Sequence, residues 1–179
     1  GHGGSSRLTQ ESILDKSMIS TWENNRSLPL FITATCDFAP FDDQSQYSLG
    51  EELLLARPTG AIALMTTSRL VFASSNRIIN NNFLRSLTDR SASGGGVPYL
   101  GNALMEAKNF TVENTGDFIN SRKFVMLGDP AMKPGIPEYG VRTTSINGRA
   151  WGSSSDTLKS VSMYEFSGEV TNPDGKVDN

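Results

Sequence analysis

The chain contains one cysteine and one histidine, the two side-chain types that form a thiolate–imidazole pair. A thiol becomes a nucleophile where a neighbouring base or positive charge favours its thiolate form. Cys36 directly follows a short apolar segment, Leu28–Thr35, and His2 lies in the glycine-rich start of the chain, Gly1–Gly4. The sequence therefore predicts Cys36 as a nucleophile with His2 as its base. The alternatives are that Cys36 is a buried, inert cysteine and that the segment Gly1–Gly4 is a mobile stretch without a function.

Two apolar strands and the helix between them must position this pair. The run Leu28–Thr35 is typical of a strand buried on both faces, as in a parallel sheet. Ser48, with Glu51 three residues later, predicts a capped helix over Leu49–Leu55, and Gly60–Thr67 predicts the second strand. Strand, helix and strand at this spacing indicate a βαβ unit. Ligands of open α/β sheets bind at the carboxyl ends of the strands, where the predicted nucleophile lies.

The pattern of predicted secondary structure changes after about Pro137. Before it, the remaining predicted elements are helices over 10–19, 80–87 and 100–109, a Ser/Gly linker over 91–96 and a strand over 124–127. After it, two strands without intervening helices are predicted over 141–146 and 161–170, followed by a turn over 172–175. We therefore predict an α/β domain over residues 1–140 and the start of a β-rich domain over residues 141–179.

Further site residues follow from the same placement. Backbone N–H groups of Gly3 and Cys36 could form an oxyanion hole. Thr66, Thr67 and Arg69 follow the second strand, where they could contact substrate. Arg69 could bind an acidic or C-terminal group, although an arginine in such a loop is more often a surface residue.

Metal binding is weakly indicated. Asp37, Asp42 and Asp43 offer oxygen ligands for calcium, but the regular spacing of a calcium loop is missing, which favours solvated or capping carboxylates. One cysteine and one histidine do not supply the four ligands of a structural zinc site. No other cofactor is predicted. Trp22 and Phe38 flank the predicted site, where pocket walls and core packing are equally good interpretations.

Composition excludes several classes of function. Lys and Arg total 16 against 19 Asp and Glu, so a net charge of -3 gives no reason to expect a nucleic-acid partner. No apolar run approaches the ~20 residues that span a bilayer. A serine hydrolase is disfavoured because the sequence has no Gly-x-Ser-x-Gly elbow.

The His2-Gly3 pair, followed by an apolar strand that ends at Cys36, resembles the gingipain family of caspase-like cysteine peptidases. The stretches that carry the resemblance are Leu28–Asp43, Gly50–Leu55, Gly60–Leu70, Phe124–Pro134, Val141–Gly148 and Asp156–Gly175. The resemblance implies that His2 is general base and acid, that Cys36 attacks the scissile carbonyl, and that the N–H groups of Gly3 and Cys36 hold the oxyanion. It also implies the C-terminal part of a caspase-like domain, followed by the start of an immunoglobulin-like domain.

Within this family the chain is most similar to the surface sortases of the type IX secretion system. That similarity implies cleavage of C-terminal secretion signals from cargo proteins through a thioester, with transfer to a lipopolysaccharide-linked acceptor at the outer membrane surface of a Gram-negative bacterium. Expected partners are the cargo, other outer-membrane components of the system and the upstream part of the same polypeptide. That upstream part would supply the acid that orients the histidine. The alternatives are a secreted gingipain-like endopeptidase and a non-catalytic scaffold with an inert Cys36.

Overall fold

The structure, a computed structural model, describes residues 2–89, 96–137, 139–152, 158–172 and 175–177. The chain divides into two compact units, Gly1–Pro134 and Gly135–Asn179, whereas the sequence places a boundary between residues 140 and 141. Residues 91–95 and 173–174 lie outside the described ranges, so the linker over 91–96 and the turn over 172–175 stay predictions.

The first unit combines a small sheet with helices. In chain order its elements are β1 (Arg7–Leu8), β2 (Leu14–Asp15), α1 (Lys16–Ile19), β3 (Leu30–Ile32), α2 (Leu49–Leu55), β4 (Ala63–Thr67), α3 (Ala73–Thr88), α4 (Leu100–Thr115), α5 (Phe118–Arg122) and β5 (Phe124–Leu127). Strands β3, β4 and β5 form one sheet in that order, with β3 parallel and β5 antiparallel to β4. The predicted βαβ unit is confirmed, because α2 lies between the two parallel strands in sequence.

Helix α2 forms where its capping signal predicts it. The Ser48 hydroxyl accepts from the Glu51 N–H (3.2 Å), and the Glu51 carboxylate accepts from the Ser48 N–H (2.8 Å). This reciprocal box satisfies two of the N–H groups that a helix start leaves without partners. Leu49 and Leu53 are fully buried on the core side of the helix. Burying such a side chain stabilises a fold by roughly 1.5–3 kcal/mol, so the cap and the buried face fix α2 together.

The hydrophobic core lies between the sheet and these helices. Every residue of β4 is buried, as expected of a strand that is covered on both faces. Seven buried side chains form one cluster beside it: Leu14, Ile19, Phe38, Leu49, Leu53, Ala61 and Leu64. Helices α3 and α4 pack against each other, and both are longer than the sequence predicts. Helix α4 ends at Gly116, whose φ of 70° suits a residue without a Cβ.

The helix predicted over residues 10–19 is wrong over most of its length. Strands β1 and β2 instead form an antiparallel hairpin that pairs Arg7 with Asp15. Thr9 and Ser12, in the connection, have φ values of 63° and 54°, which an α-helix excludes. Asp15 then accepts from the N–H groups of Ser17 and Met18 and caps the short α1. The turn residues therefore outweigh the helical pattern of this segment.

The second unit is a three-stranded antiparallel sheet. Its strands are β6 (Gly140–Ile146), β7 (Arg149–Ala150) and β8 (Phe166–Thr171), in the spatial order β7-β6-β8. Asn147 and Gly148 connect β6 to β7 with positive φ values, the conformation of a tight hairpin turn. The first predicted strand is confirmed, whereas the second begins at Phe166 rather than Val161. Among the described residues, no helix is both long enough and apolar enough to cross a bilayer.

Candidate active site

Cys36 lies at the carboxyl ends of β3 and β4, the sheet edge at which the sequence places it. Its side chain is half-buried, and its Sγ donates to the Val71 carbonyl oxygen (3.5 Å) in the loop after β4. The next N–H, that of Asp37, donates to the Arg69 carbonyl (3.3 Å) in the same loop. The thiol therefore lies against the loop that leaves β4, with one face still accessible.

Buried hydroxyl groups hold the backbone on both sides of the thiol. Thr33 and Thr66 share a hydrogen bond between their Oγ1 atoms (2.7 Å), and the Thr67 hydroxyl donates to the Thr35 carbonyl. Beyond the thiol, the Ala39 N–H donates to the Thr67 carbonyl (2.9 Å). Because buried polar groups are costly to leave without partners, these bonds define the path of the segment closely.

Two of the predicted substrate residues, Thr66 and Thr67, belong to these buried, hydrogen-bonded hydroxyl groups. Thr66 and Thr67 are both 0% exposed, and both hydroxyls are hydrogen-bonded within the chain. Their side chains therefore support the thiol segment rather than reach substrate. The sequence pattern cannot separate these two roles, because both follow from a position at the end of a buried strand.

Arg69, the third predicted substrate residue, binds a carboxylate of this chain. Its guanidinium donates to both Asp42 oxygens, at 2.8 and 2.6 Å, and the two side chains are 52% and 49% exposed. Hydrogen bonding from Arg69 holds the pKa of the Asp42 carboxyl below its usual range. The sequence predicts that Arg69 could bind a substrate carboxylate, and in the structure its guanidinium is paired with the Asp42 carboxylate instead.

The other carboxylate of this loop is also engaged internally. Asp43 accepts from the Ser45 N–H (3.0 Å), the Ser45 hydroxyl (2.6 Å) and the Gln46 amide (2.7 Å). The Ser45 hydroxyl is the main cause of the lowered pKa of Asp43. Within the described ranges, no cluster of three or more His, Cys, Asp or Glu side chains could hold a metal ion. The loop carboxylates therefore act as turn and ion-pair groups in this structure.

The segment that carries His2 packs against the thiol segment through a glycine. Gly3 faces Leu8 in an isolated antiparallel bridge. A Cβ placed on Gly3 would lie 2.6 Å from the Thr35 Oγ1, closer than side-chain atoms approach, so an alanine there would force Thr35 or the His2 segment to shift. Because Thr35 directly precedes Cys36, this contact sets the glycine beside His2 against the residue beside the thiol.

His2 itself is exposed and lines an open groove of about 420 Å³. The groove is also lined by Gly3, Gly4, Ser6, Arg7, Thr9 and Gln10. Glu11 lies within electrostatic reach of His2. Hydrogen bonding from its own backbone is the main cause of the lowered pKa of Glu11, and the charge of His2 adds to it. The sequence analysis missed this carboxylate, because only the β1–β2 hairpin folds Glu11 back towards the start of the chain.

Comparison with known proteins identifies the family. The profile of peptidase family C25 matches residues 1–135, three quarters of the chain. The chain belongs to peptidase family C25. This is the gingipain family of cysteine peptidases, so the family and the caspase-like α/β fold that the sequence predicts are confirmed at that level. No curated protein sequence matches the chain.

Solved structures show the same fold. The arginine-specific cysteine proteinase gingipain R (RgpB) and the complex of the Porphyromonas gingivalis RgpB pro- and mature domains both match with 17% identity and a TM-score of 0.65. Each match covers 80% of this chain, and 34% or 35% of the other. A third structure, described as a protease, matches with 15% identity and a TM-score of 0.53, over 98% of this chain and 45% of its own. This C25 chain thus spans less than half the length of these proteins.

The two aromatic residues that flank the site in sequence are packing residues of the C25 chain. Phe38 is 0% exposed in the core cluster, and Trp22 stacks on Phe31 with ring centroids 6.0 Å apart. Trp22 also lines a groove of about 720 Å³ together with Glu52 and Arg57. That groove lies near the amino-terminal ends of β3 and β4, so it is at the opposite end of the strands from the thiol.

Proposed function

We propose that this C25 chain carries the catalytic pair of a cysteine peptidase, with Cys36 as the nucleophile and His2 as the general base. The observation that carries the proposal is the close packing of Gly3 on Thr35, which brings the segments of both residues together. The half-buried thiol at the carboxyl ends of two parallel strands supports it. So does membership of a family of cysteine peptidases.

The chemistry is acyl transfer through a thioester. The Cys36 thiol passes its proton to His2, and Sγ forms a bond to the scissile carbonyl carbon. Backbone N–H groups of Gly3 and Cys36 hold the oxyanion that develops on the carbonyl oxygen. The C–N bond then breaks, and the leaving amine takes the proton from His2. Attack by water or by a second amine on the thioester releases the acyl group and regenerates the thiol.

The finer proposal is a sortase of the PorU type from the type IX secretion system. Its substrates are cargo proteins with C-terminal secretion signals, its acceptor is an amine of a lipopolysaccharide-linked group, and it acts at the outer membrane surface with other components of the system. The support is the sequence resemblance over nearly the whole chain. A gingipain-like endopeptidase that uses water as the acceptor is the second candidate, supported by the fold match to gingipain R.

Thiol reactivity in the full-length native protein tests the catalytic pair. We expect iodoacetamide to label Cys36 rapidly at neutral pH, and His2→Gln to slow the labelling by about 10-fold or more, since a general base contributes on the order of 10²–10⁴-fold. Gln10→Ala, which alters the same groove, is the matched control and should label at the wild-type rate. Equal rates in all three proteins would remove His2 from the mechanism.

Mass spectrometry of secreted cargo tests the finer proposal. Cells that produce the full-length protein with Cys36→Ala should secrete cargo that keeps its C-terminal signal, while the variant accumulates at normal levels. In wild-type cells, a modified new C-terminus indicates transfer to an amine, and an unmodified one indicates hydrolysis by an endopeptidase. If the Cys36→Ala cells remove the C-terminal signal from cargo normally, the peptidase proposal fails. A non-catalytic scaffold would then be the better hypothesis.

A further inference from the structure

The loop against which the thiol lies carries two large exposed apolar side chains. Leu70 is 67% exposed and Phe72 is 66% exposed, on either side of Val71 in sequence. The Val71 carbonyl accepts the hydrogen bond from the Cys36 thiol (3.5 Å). Single exposed apolar residues are ordinary on protein surfaces. Leu70 and Phe72, however, flank Val71, which contacts the candidate nucleophile Cys36. This position calls for a functional explanation.

The loop is anchored, so the exposure is not that of a frayed segment. The Lys123 ammonium donates to the Leu70 carbonyl (2.8 Å) and lies 5.5 Å from the centre of the Phe72 ring. The Phe72 N–H donates to the Asn120 side chain (3.0 Å), which is itself buried, and the Ser68 N–H donates to the Lys123 carbonyl (2.9 Å). The backbone positions of the two apolar residues are therefore fixed before a ligand arrives.

Two cations of this region, Arg69 and Lys123, are already bonded to other groups of the chain. The Arg69 guanidinium binds both oxygens of Asp42, and the Lys123 ammonium is bonded to the loop itself. A charged ligand would have to compete with those partners, whereas the exposed faces of Leu70 and Phe72 would gain free energy on burial, at roughly 25 cal/mol per Å² of apolar surface. The two large side chains that this loop exposes are thus apolar.

We propose that Leu70 and Phe72 bind a large apolar side chain of the peptide substrate next to the scissile bond. This inference rests on the proposed function and deepens it, because it names the substrate class: peptide segments with Leu, Met or Phe beside the cleaved bond. Lys123 is a positioning residue, which holds the Leu70 carbonyl and the Phe72 ring and does not react. One additional methylene group in a hydrophobic pocket typically raises kcat/KM by about 10–200-fold.

Cleavage of matched peptides by the full-length protein tests the inference. The peptides carry Leu, Phe, Ser or Arg at each of the two positions that flank the bond. We expect kcat/KM for the Leu and Phe peptides to exceed that for the Ser peptide by at least about 10-fold at one position. The variants Leu70→Ser and Phe72→Ser should reduce this ratio towards one. Leu55→Ser is the matched control, because Leu55 is 61% exposed at the far end of α2.

The outcomes separate this inference from the proposed function. Efficient cleavage with equal rates for all four peptides, or a preference that Leu70→Ser and Phe72→Ser leave intact, overturns the inference and leaves the peptidase standing. If no peptide is cleaved and iodoacetamide does not label Cys36, the proposed function fails and the inference fails with it.

The positioning role of Lys123 has its own signature. Lys123→Met keeps the apolar stem but loses the hydrogen bond to the Leu70 carbonyl, so we expect KM for the Leu peptide to rise while the Ser peptide is unaffected. Lys123→Arg restores a donor and should restore the preference. Equal losses with both peptides in Lys123→Met would assign a general structural role to Lys123 and would contradict positioning.

Discussion

The two segments that supply the candidate catalytic pair are held in opposite ways. Cys36 lies between residues that are almost wholly buried, with Thr35 at 2% and Phe38 at 0% exposure, and the backbone there is bonded to β4. His2 is exposed and lies outside the helices and strands, and its neighbour Gly3 is fixed by one bridge and one close contact. The core of the domain therefore places the candidate nucleophile, whereas a single glycine places the candidate base.

This difference predicts different consequences of mutation. Changes around the thiol should act first on the free energy of unfolding, because its neighbours are core residues. Changes around His2 should act first on activity, because little of the core depends on that segment. The predictions below test the distinction, in order of decreasing effect.

Phe38→Ala should have the largest effect, on stability. Phe38 is fully buried two residues after the thiol, and truncation of a buried Phe typically costs about 3–5 kcal/mol of the free energy of unfolding. Denaturant unfolding of the full-length protein measures the loss. The matched control is Phe41→Ala, because Phe41 is 51% exposed in the same segment. Equal losses in the two variants would contradict a core-held nucleophile.

Gly3→Ala should reduce activity by about 100-fold, since a misplacement of about 1 Å near the reacting groups has an effect of that order. The added Cβ would meet the Thr35 hydroxyl at 2.6 Å and push the His2 segment away. Gly4→Ala is the matched control, because no atom lies within 4 Å of a Cβ at that position. Peptidase kinetics and a melting curve measure both variants. We expect the melting temperatures to stay close to that of the wild type, and a Gly3→Ala protein with full activity would contradict the idea that this contact positions the base.

Thr67→Val should destabilise the protein by about 1–3 kcal/mol, because it removes the donor to the buried Thr35 carbonyl. The double variant Thr33→Val/Thr66→Val removes both partners of a neighbouring bond, and such a paired replacement by apolar groups of similar shape is expected to be nearly neutral. Unfolding free energies of the two variants make the comparison. A larger loss in the double variant would show that the hydroxyl pair, rather than the Thr67 bond, fixes the thiol segment.

The Arg69–Asp42 pair should have the smallest effect, since exposed ion pairs contribute little. The folded-state pKa of Asp42 is lowered, so the pair stabilises above the ordinary pKa of Asp and loses its contribution as the pH falls through the lowered value. The difference in melting temperature between wild type and Arg69→Gln should therefore be small at pH 6 and disappear as the pH falls through the lowered pKa of Asp42. Arg77→Gln, which changes another exposed arginine, should show no such trend. A difference that grows on acidification would contradict the pairing.

Local signals in the sequence were sufficient for several elements. The capping box at Ser48 and Glu51, the strand β4 and the strand Phe124–Leu127 all form as predicted, since the residues within each segment carry its signal. The same reasoning gave a wrong prediction for residues 10–19, where it indicated a helix. The apolar spacing of this segment is compatible with a helix, but the strand pairing of Arg7 with Asp15 competes with it and prevails.

The candidate site was likewise predicted in part from local signals and in part not. Residue types and the strand before Cys36 were enough to single out the thiol and the histidine as candidates and to place the thiol at the carboxyl end of that strand. The roles of Thr66, Thr67 and Arg69 were not readable, because burial and the choice of partner depend on residues distant in sequence, such as Thr33 and Asp42.

The sequence by itself determined the α/β class of the first domain and the residues capable of thiol chemistry, because these depend on residue type and local periodicity, and its resemblance to known peptidases indicated the family. Only the tertiary structure decided that Gly3 packs on Thr35, that Glu11 lies within electrostatic reach of His2, and that the Val71 carbonyl, between Leu70 and Phe72, contacts the thiol. The physical reason is that these relations join segments distant along the chain. Strand pairing and close packing bring such segments together, and no local pattern encodes the distance between them.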